Sequence, residues 1–195
     1  MKIAILGHGV EGQAIETYFK DHPLDDHPNQ FTFFEQFDDS KIPSFHLEQY
    51  DLIFRSPSVH PQFIMAPEFR GLSKNWTSIT NYFFQHCPAP IIGVTGTKGK
   101  GTTCSIIASL LRQFPERFPK IHLVGNIGTP ALLELDKINP DDLVVYELSS
   151  FQCWDLKKSP HIAVILRIEP DHLDRHLDFN DYVHAKGNIV THQTP

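Results

Sequence analysis

The chain has 195 residues, enough for one domain or two smaller ones, and its 41% hydrophobic and 21% charged residues are typical of a globular protein. A formal net charge of −6, without a cluster of Lys and Arg, argues against a nucleic-acid-binding protein. No apolar run approaches the roughly 18 residues of a membrane span, and the start lacks the pattern of a signal peptide. Cys87, Cys104 and Cys153 have no metal-like spacing, so we expect reduced, buried thiols and a cytoplasmic location.

The first part of the chain carries the pattern of a nucleotide-binding α/β fold. A strand predicted at 2–6 runs into the turn Gly7-His-Gly-Val-Glu-Gly12, which opens a helix. A second predicted strand, 31–35, ends in Glu35 about twenty residues on, where such folds contact a ribose. A third strand is predicted at 50–56. Because this glycine pattern alone is weak, a tight turn without a ligand, an NAD site and a site for another nucleotide all remain open.

A domain boundary is predicted near residue 88. A short helix at 81–86 is followed by Pro88 and Pro90, which break it. The predicted domains are therefore 1–87 and 88–195.

The most informative motif is Gly93-Val-Thr-Gly-Thr-Lys-Gly-Lys-Gly-Thr-Thr103. It follows a predicted strand at 90–95 and opens a helix in which Ile107, Leu110, Leu111 and Phe114 fall on one face. Strand, Gly-rich turn and helix are the context of a phosphate-binding loop, whose backbone N–H groups converge on phosphate oxygens. This context favours a nucleotide site over a plain turn with solvated lysines.

One position departs from the usual phosphate-loop pattern. Lys100 is placed to reach the outer phosphates, but Gly101 stands where Ser or Thr normally follows the lysine. Thr102 comes one residue later and would have to supply the magnesium contact.

Strands and helices continue to alternate beyond the loop, which predicts parallel sheets in both domains. Further strands are predicted at 119–124, 142–147 and 161–168, with a helix at 131–136 between the first two. A last helix, capped by Asp178 or Asn180, is predicted to carry Tyr182 and Lys186 on one face.

Four polar residues follow these strands: Asn126, Glu147, His172 and Lys186. Strand ends of a parallel sheet meet at one edge, and an acid such as Glu147 beside a nucleotide can ligate Mg²⁺. A solvated strand end for Glu147 and a solvated helix lysine for Lys186 are the alternatives. His172 and His176, four residues apart, suggest zinc, but no third ligand stands at the usual spacing.

The motifs of the chain occur in the order found in Mur ligases, and the chain resembles that family from residue 2 to the last helix. The matching stretches are Gly93–Thr103, Gly125-Asn-Ile-Gly128, Glu147-Leu-Ser-Ser-Phe-Gln152, Asp171-His-Leu-Asp-Arg175 and Tyr182-x₃-Lys186. The Glu147–Gln152 string is the most specific, and Ser56-Pro-Ser-Val59 is similar to the Ser-Pro-Gly-Ile loop of the family.

The resemblance implies an α/β protein with a Rossmann-like domain at 1–87 and a P-loop central domain, incomplete at its C-terminus, at 88–195. It is greatest to the members that join D-glutamate to UDP-N-acetylmuramoyl-L-alanine, which implies a cytoplasmic, ATP-dependent amide-bond ligase of peptidoglycan synthesis. Such an enzyme acts through an acyl phosphate and uses two Mg²⁺ ions and a carbamylated lysine, which would be Lys186. The 195-residue chain alone is expected to be inactive, because the amino-acid-binding domain would lie beyond Pro195.

The resemblance also implies roles for individual residues. The ATP phosphates would be held by Lys100 and the surrounding loop: Gly96, Thr97, Lys98, Gly99, Gly101, Thr102 and Thr103. Thr102 and Glu147 would hold one Mg²⁺, and His172 and carbamylated Lys186 the second. Asn126 would contact the substrate near the reacting carboxylate. The uridine diphosphate pocket would be lined by Val10, Glu11, Glu35 and Ser56.

Three residues depart from the family pattern. Gly101 produces Gly-Lys-Gly-Thr, which is similar to the loop of folylpolyglutamate synthetases. Arg167 and Ser58 stand where the ligases usually have Asn and Gly. A folylpolyglutamate synthetase-like ligase and a truncated, non-catalytic nucleotide-binding protein therefore remain as alternatives.

Overall fold

The computed structural model describes residues 1–7, 9–34, 47–60, 75–127 and 129–193. Its contacts divide the chain into two units, Met1–Ile79 and Thr80–Pro195.

The first unit contains a parallel sheet. Its elements are the strands β1 (Lys2–Leu6), β2 (Gln30–Phe34), β3 (Leu52–Arg55) and β4 (Trp76–Thr77), the helix α1 (Val10–Asp21) and a 3₁₀ turn at Leu47–Gln49. The strand order is β2-β1-β3-β4, and every pair is parallel. Leu6 lies opposite both Phe34 and Arg55 in this register. The turn after β1 and the loop after β3 therefore meet at the same edge of the sheet.

The second unit contains another parallel sheet. Its elements are α2 (Ile79–His86), β5 (Ile91–Thr95), α3 (Lys100–Leu111), β6 (Ile121–Gly125), a 3₁₀ helix (Ala131–Lys137), β7 (Leu143–Glu147), α4 (Ser150–Cys153), β8 (Ile162–Ile165) and α5 (Phe179–Thr191). The strand order is β6-β7-β5-β8, with all pairs parallel. Glu147 is the register partner of Val94 and of Gly125, so the segments after β5, β6 and β7 lie side by side.

The predicted α/β class with parallel sheets is confirmed, and several details differ. The division between the units falls after Ile79, the first residue of α2, whereas the predicted boundary near 88 follows the helix. The reason is that Phe83 and Phe84 of α2 pack edge-on against Tyr146 of β7, at centroid distances of 5.4 and 5.3 Å. The helix predicted at 131–136 is a 3₁₀ helix, and α4 was not predicted.

The buried face of α3 also differs from the predicted one. Cys104 and Ala108 are fully buried, and Ile107 and Leu111 pack against them and the sheet. Leu110 and Phe114 are 62% and 53% exposed, although they fall on the same predicted apolar face as Ile107 and Leu111. The small residues Cys104 and Ala108 let the helix lie close to the sheet, and this turns the longer side chains outward.

The cysteines are free, with Cys104 and Cys153 buried and Cys87 half-buried. Burial raises the pKa of both buried thiols to about 12, so these two remain protonated at neutral pH. None of the helices in the described ranges has the length and apolar character that a membrane crossing requires.

Candidate functional site

The phosphate loop of the second unit is shaped by two glycines. Gly96 and Gly99 have φ angles of +145° and +82°, which L side chains rarely adopt. A Cβ on Gly96 would also lie 2.6 Å from the Cβ of Leu166, so the loop passes directly over the end of β8. Gly99, which has no side chain to cap the helix, is the N-cap of α3. The first-turn N–H groups of α3 are thus directed into the loop, as a phosphate site requires.

Two lysines donate to the backbone of this loop. Lys100 Nζ lies 3.1 Å from Gly96 O and 3.1 Å from Thr97 O. Lys186 Nζ, from α5, lies 2.8 Å from Gly96 O. The predicted loop lysine and the predicted helix lysine therefore converge on one carbonyl group.

Lys186 is buried rather than solvated, with 2% of its surface exposed. Its Nζ lies 4.6 Å from the centre of the Tyr182 ring, one helical turn earlier. Burial, together with the charge of Lys100, lowers the pKa of Lys186 from 10.5 to about 8. Near neutral pH this amine is still mostly protonated, but its neutral, nucleophilic form is far more populated than that of a solvated lysine.

Glu147 and Asn126 meet beside the first turn of α3. Glu147 ends β7 with 7% exposure, and Asn126 Nδ2 donates to its Oε1 at 3.3 Å. A Cβ on Gly101 would lie 3.1 Å from Glu147 Oε2, so the carboxylate packs against the bare backbone at this position. Thr102 is the next residue of that helical turn. The structure thus brings together Asn126, Glu147 and the start of α3, as predicted from the strand ends.

His172 follows β8 in a left-handed backbone conformation, with φ of +52°. Its side chain is 51% exposed, its Nε2 lies 3.8 Å from Asp171 Oδ2, and its ring centre lies 5.1 Å from that of Phe151. Within the described part of the chain, no hydrogen bond or ion pair joins His172 to Lys186. The predicted pairing of these two residues around a metal ion stays a prediction.

His176 is held by two side-chain hydrogen bonds, which count against the zinc alternative. Its Nδ1 lies 2.8 Å from Asp181 Oδ2 and its Nε2 lies 3.0 Å from Ser150 Oγ. Both ring nitrogens are engaged in hydrogen bonds inside a buried aromatic environment, so neither is available to ligate a metal. Across the described residues, no group of three or more His, Cys, Asp or Glu side chains is arranged around a metal position.

The Glu147–Gln152 string has a local structural explanation as well. Ser149 Oγ accepts from Gln152 N at 3.2 Å, and Gln152 Oε1 accepts from Ser149 N at 3.0 Å, which forms a capping box at the start of α4. The Ser-x-x-Gln spacing was the available sequence signal for this missed helix. Ser150 then holds His176, so the string ties the end of β7 to the segment before α5.

The first unit has an open cleft of about 640 Å³ at the edge where β1 and β3 end. We call it the first-unit cleft, and it is lined by Gly7, Gly9, Val10, Glu11, Ser56, Pro57 and Ser58. Gly9 is the N-cap of α1, again without a side-chain cap. A Cβ on Gly7 would lie 2.7 Å from the Cβ of Ser56, so only glycine permits this close approach. The predicted pocket residues Val10, Glu11 and Ser56 line the cleft, and Glu35 lies outside the described residues.

Thr97 and Tyr182 form a contact that the sequence interpretation missed. Thr97 Oγ1 lies 3.0 Å from the Tyr182 hydroxyl, and it also bonds to the backbone of Glu169. In the sequence, Tyr182 is identified only by its position one helical turn before Lys186 and by the family motif that the two residues share. No local pattern relates two residues that are 85 positions apart.

Comparison with known proteins agrees with this geometry. The sequence-family model named Mur ligase middle domain matches residues 94–195, which is more than half of the chain. UDP-N-acetylmuramoylalanine--D-glutamate ligase of Clostridium kluyveri is 42% identical over 151 residues, 76% of this chain and 32% of that relative. The ligases of the same name from Clostridium botulinum strains Kyoto and Hall are 39% identical over the same length.

The chain spans about a third of the length of these curated relatives. The family model covers the phosphate loop, the Glu147 strand end and the helix that carries Lys186. Because the family model matches more than half of the chain and includes these site residues, the chain belongs to the Mur ligase family.

Proposed function

We propose that this chain forms the substrate-binding and phosphate-binding part of an ATP-dependent ligase that adds D-glutamate to UDP-N-acetylmuramoyl-L-alanine. The observation that carries the proposal is the convergence of Lys100 and Lys186 on Gly96 O, at the end of a strand beside the Glu147 strand end. The names of the relatives support the choice of substrates, since those proteins are D-glutamate ligases.

The phosphate loop supplies the positive charge that phosphoryl transfer requires. The first-turn N–H groups of α3 and the Lys100 ammonium provide positive charge where a triphosphate would lie. The terminal phosphoryl group of ATP would pass to the alanyl carboxylate, giving ADP and an acyl phosphate. The amine of D-glutamate would then attack the acyl carbon, forming the amide and releasing phosphate with loss of a proton from nitrogen.

The residues present fit one magnesium ion beside the loop. The Glu147 carboxylate is buried beside Gly101, the residue before Thr102, and its Oε1 accepts a hydrogen bond from Asn126. Carboxylate and hydroxyl oxygens are ligands that Mg²⁺ accepts, so Glu147 and Thr102 would hold it. When bound, the ion would offset phosphate charge during the transfer.

A second ion requires a chemical change at Lys186. As an ammonium group, Lys186 donates to Gly96 O and cannot ligate a cation. Reaction of its neutral amine with CO₂ forms an N–C bond and releases one proton, which leaves a carbamate with two acceptor oxygens. The pKa of about 8 makes that neutral amine accessible. Carbamylated Lys186 and His172 would then hold the second ion.

The first-unit cleft is proposed to hold the uridine diphosphate end of the substrate. The uncapped start of α1 faces this cleft, and helix N-termini favour anionic groups such as a diphosphate. Ser56 and Ser58 contribute hydroxyl groups that lie 3.0 Å apart. Val10 and Glu11 complete the wall at the start of the helix.

The folylpolyglutamate synthetase alternative rested on Gly101, and the structure offers another reason for that glycine. The close approach of Glu147 Oε2 leaves little room for a side chain, whatever the substrate. Gly101 thus has a local structural explanation in addition to its resemblance to the loop of folylpolyglutamate synthetases.

The proposal is tested by calorimetry on the 195-residue chain with three ligands added separately. We expect binding of UDP-N-acetylmuramoyl-L-alanine and of ATP with Mg²⁺, and weaker binding of NADH. Tighter binding of NADH than of the uridine substrate would overturn the assignment of the first-unit cleft. Failure of ATP to bind would overturn the assignment of the phosphate loop.

A further inference from the structure

We infer that Tyr182 is a positioning residue that holds the phosphate loop in its nucleotide-binding shape through the hydroxyl group of Thr97. The inference rests on the proposed function, because it assigns to Tyr182 an effect on nucleotide affinity at the proposed ATP site. Tyr182 would act through Thr97 and without touching the nucleotide.

The contact is built from three hydrogen bonds at one oxygen atom. Thr97 Oγ1 lies 3.0 Å from Glu169 O, 2.9 Å from Glu169 N and 3.0 Å from the Tyr182 hydroxyl. Thr97 has a single hydroxyl proton, which its bond to Glu169 O uses. Glu169 N–H and the Tyr182 O–H are then both donors to the Thr97 oxygen.

Tyr182 is positioned to restrain the glycine-containing phosphate loop. Its ring is 1% exposed and packs edge-on against His176, so the hydroxyl position is determined by a rigid surrounding. The loop itself passes through two glycines with positive φ angles, and glycine-rich backbone loses the most freedom when it is held. The Tyr182 hydroxyl on α5 thus restrains Thr97, which lies between Gly96 and Gly99.

The position of Thr97 affects the loop backbone and Lys100, which are the proposed phosphate-binding groups. Thr97 N donates to Arg167 O at 3.0 Å, and the carbonyl groups of Gly96 and Thr97 accept from Lys100. The same helix α5 supplies Lys186 to Gly96 O. Tyr182 and Lys186 therefore fix both sides of one peptide unit, and the Tyr182 ring also lies beneath the Lys186 ammonium.

Loss of the Tyr182 hydroxyl should weaken nucleotide binding in the folded protein. In the Tyr182→Phe variant the ring remains, but the loop must be ordered by the nucleotide itself. We expect ATP affinity to fall about 2- to 10-fold, the range of one hydrogen bond. Thr97→Val should show a similar loss, and Thr97→Ser, which keeps the hydroxyl, should bind ATP nearly as the wild type does.

The test has two arms on the 195-residue chain. Calorimetry measures ATP affinity for the single variants and for the Tyr182→Phe, Thr97→Val double variant. Because both changes break one contact, the double variant should bind no more weakly than Thr97→Val alone. Tyr82→Phe is the matched control, since Tyr82 lies on α2 with its ring stacked on His86.

The second arm measures amide hydrogen exchange across 96–103 without nucleotide. We expect faster exchange in this stretch for Tyr182→Phe and Thr97→Val, and wild-type exchange for Tyr82→Phe. If the wild type fails to bind ATP, the proposed function falls, while the exchange arm still decides whether the contact restrains the loop.

A purely structural role for the contact gives a different result. It would lower the free energy of unfolding of Tyr182→Phe but leave the ATP affinity of the folded protein unchanged. Wild-type ATP affinity of the Tyr182→Phe variant would therefore overturn the inference, and so would unchanged exchange across 96–103.

Discussion

Lys100 and Lys186 donate to the same acceptor, the carbonyl oxygen of Gly96, at 3.1 and 2.8 Å. Burial is the main cause of the lowered pKa of Lys186, and the repulsion between two ammonium groups on one oxygen lowers it further. Lys100 also has Thr97 O as an acceptor and is only half-buried, whereas Lys186 is enclosed. Lys100 is therefore the lysine that can leave the carbonyl group for a phosphate.

Replacement of Lys100 by Ala should weaken ATP binding. The charged hydrogen bonds of a lysine to phosphate are worth enough to predict a loss of roughly 10- to 100-fold. Calorimetry with ATP and Mg²⁺ measures this loss, and Lys120→Ala is the control because Lys120 is exposed before β6. Wild-type affinity of the Lys100 variant would show that the loop does not bind the triphosphate as proposed.

The stability of the protein should rise with pH between about 8 and 10.5 because of Lys186. Its folded pKa of about 8 lies below its ordinary value of 10.5, so the unfolded chain binds more protons across this window. Relative to Lys186→Met, the free energy of unfolding of the wild type should increase by roughly 3 kcal/mol over the window. Urea unfolding in CO₂-depleted buffer at pH 7 to 10 checks this, because the carbamate cannot form there.

The control for that measurement is Lys120→Met, which should follow the wild type at every pH. A constant difference between the wild type and Lys186→Met would mean that Lys186 titrates as a solvated lysine.

The local parts of the fold could be predicted from the sequence, because strands and turns depend on residues that are adjacent in the chain. The predicted strand at 2–6 is observed as Lys2–Leu6, and Asp178 caps α5 by accepting from Asp181 N. The phosphate loop is predictable because its strand, glycines and helix are contiguous in the sequence. The proximity of Glu147 and Asn126 is predictable because the carboxyl ends of parallel strands lie on the same side of a sheet.

The remaining features depend on contacts between distant parts of the chain. The burial of Lys186 requires α5 to lie under the loop after β5, ninety positions earlier. The engagement of His176 by Ser150 likewise links α4 to the segment before α5. Spacing alone cannot show whether such a side chain is solvated, because burial is decided by the segment that packs over it.

Two glycines in helices should respond differently to alanine. A Cβ on Gly187 in α5 would meet nothing within 4 Å, so Gly187→Ala should raise the free energy of unfolding by about 1 kcal/mol through helix propensity. A Cβ on Gly101 would lie 3.1 Å from Glu147 Oε2 and 3.4 Å from Ile127 Cδ1. Gly101→Ala should therefore gain less stability and weaken binding of ATP with Mg²⁺.

Urea unfolding and calorimetry on the two variants measure both effects, and each variant is the control for the other. An equal gain at the two sites, with unchanged ATP affinity, would show that Glu147 does not depend on the bare backbone of Gly101.

His122 and Asp142 form a buried pair near the amino ends of β6 and β7, away from the phosphate loop. His122 Nε2 donates to Asp142 Oδ2 at 3.0 Å, and Asn139 N donates to the same oxygen at 2.9 Å. Burial alone would raise the pKa of Asp142, but the bonds from Asn139 and His122 hold it below its ordinary value of 3.8. A depressed carboxyl pKa stabilises the fold above the unfolded pKa, and the contribution is lost as pH falls through the folded pKa.

Asp142→Asn should therefore lower the free energy of unfolding by about 1–3 kcal/mol at pH 6, and its difference from the wild type should shrink below about pH 4. ATP affinity of the folded variant should stay at the wild-type value, because Asp142 precedes β7 while the phosphate loop lies at the strands' carboxyl ends. Asp141→Asn is the matched control, since Asp141 is the exposed neighbour. Urea unfolding from pH 3 to 7 measures the difference, and a loss of stability that is the same at every pH would show that the Asp142 charge plays no part.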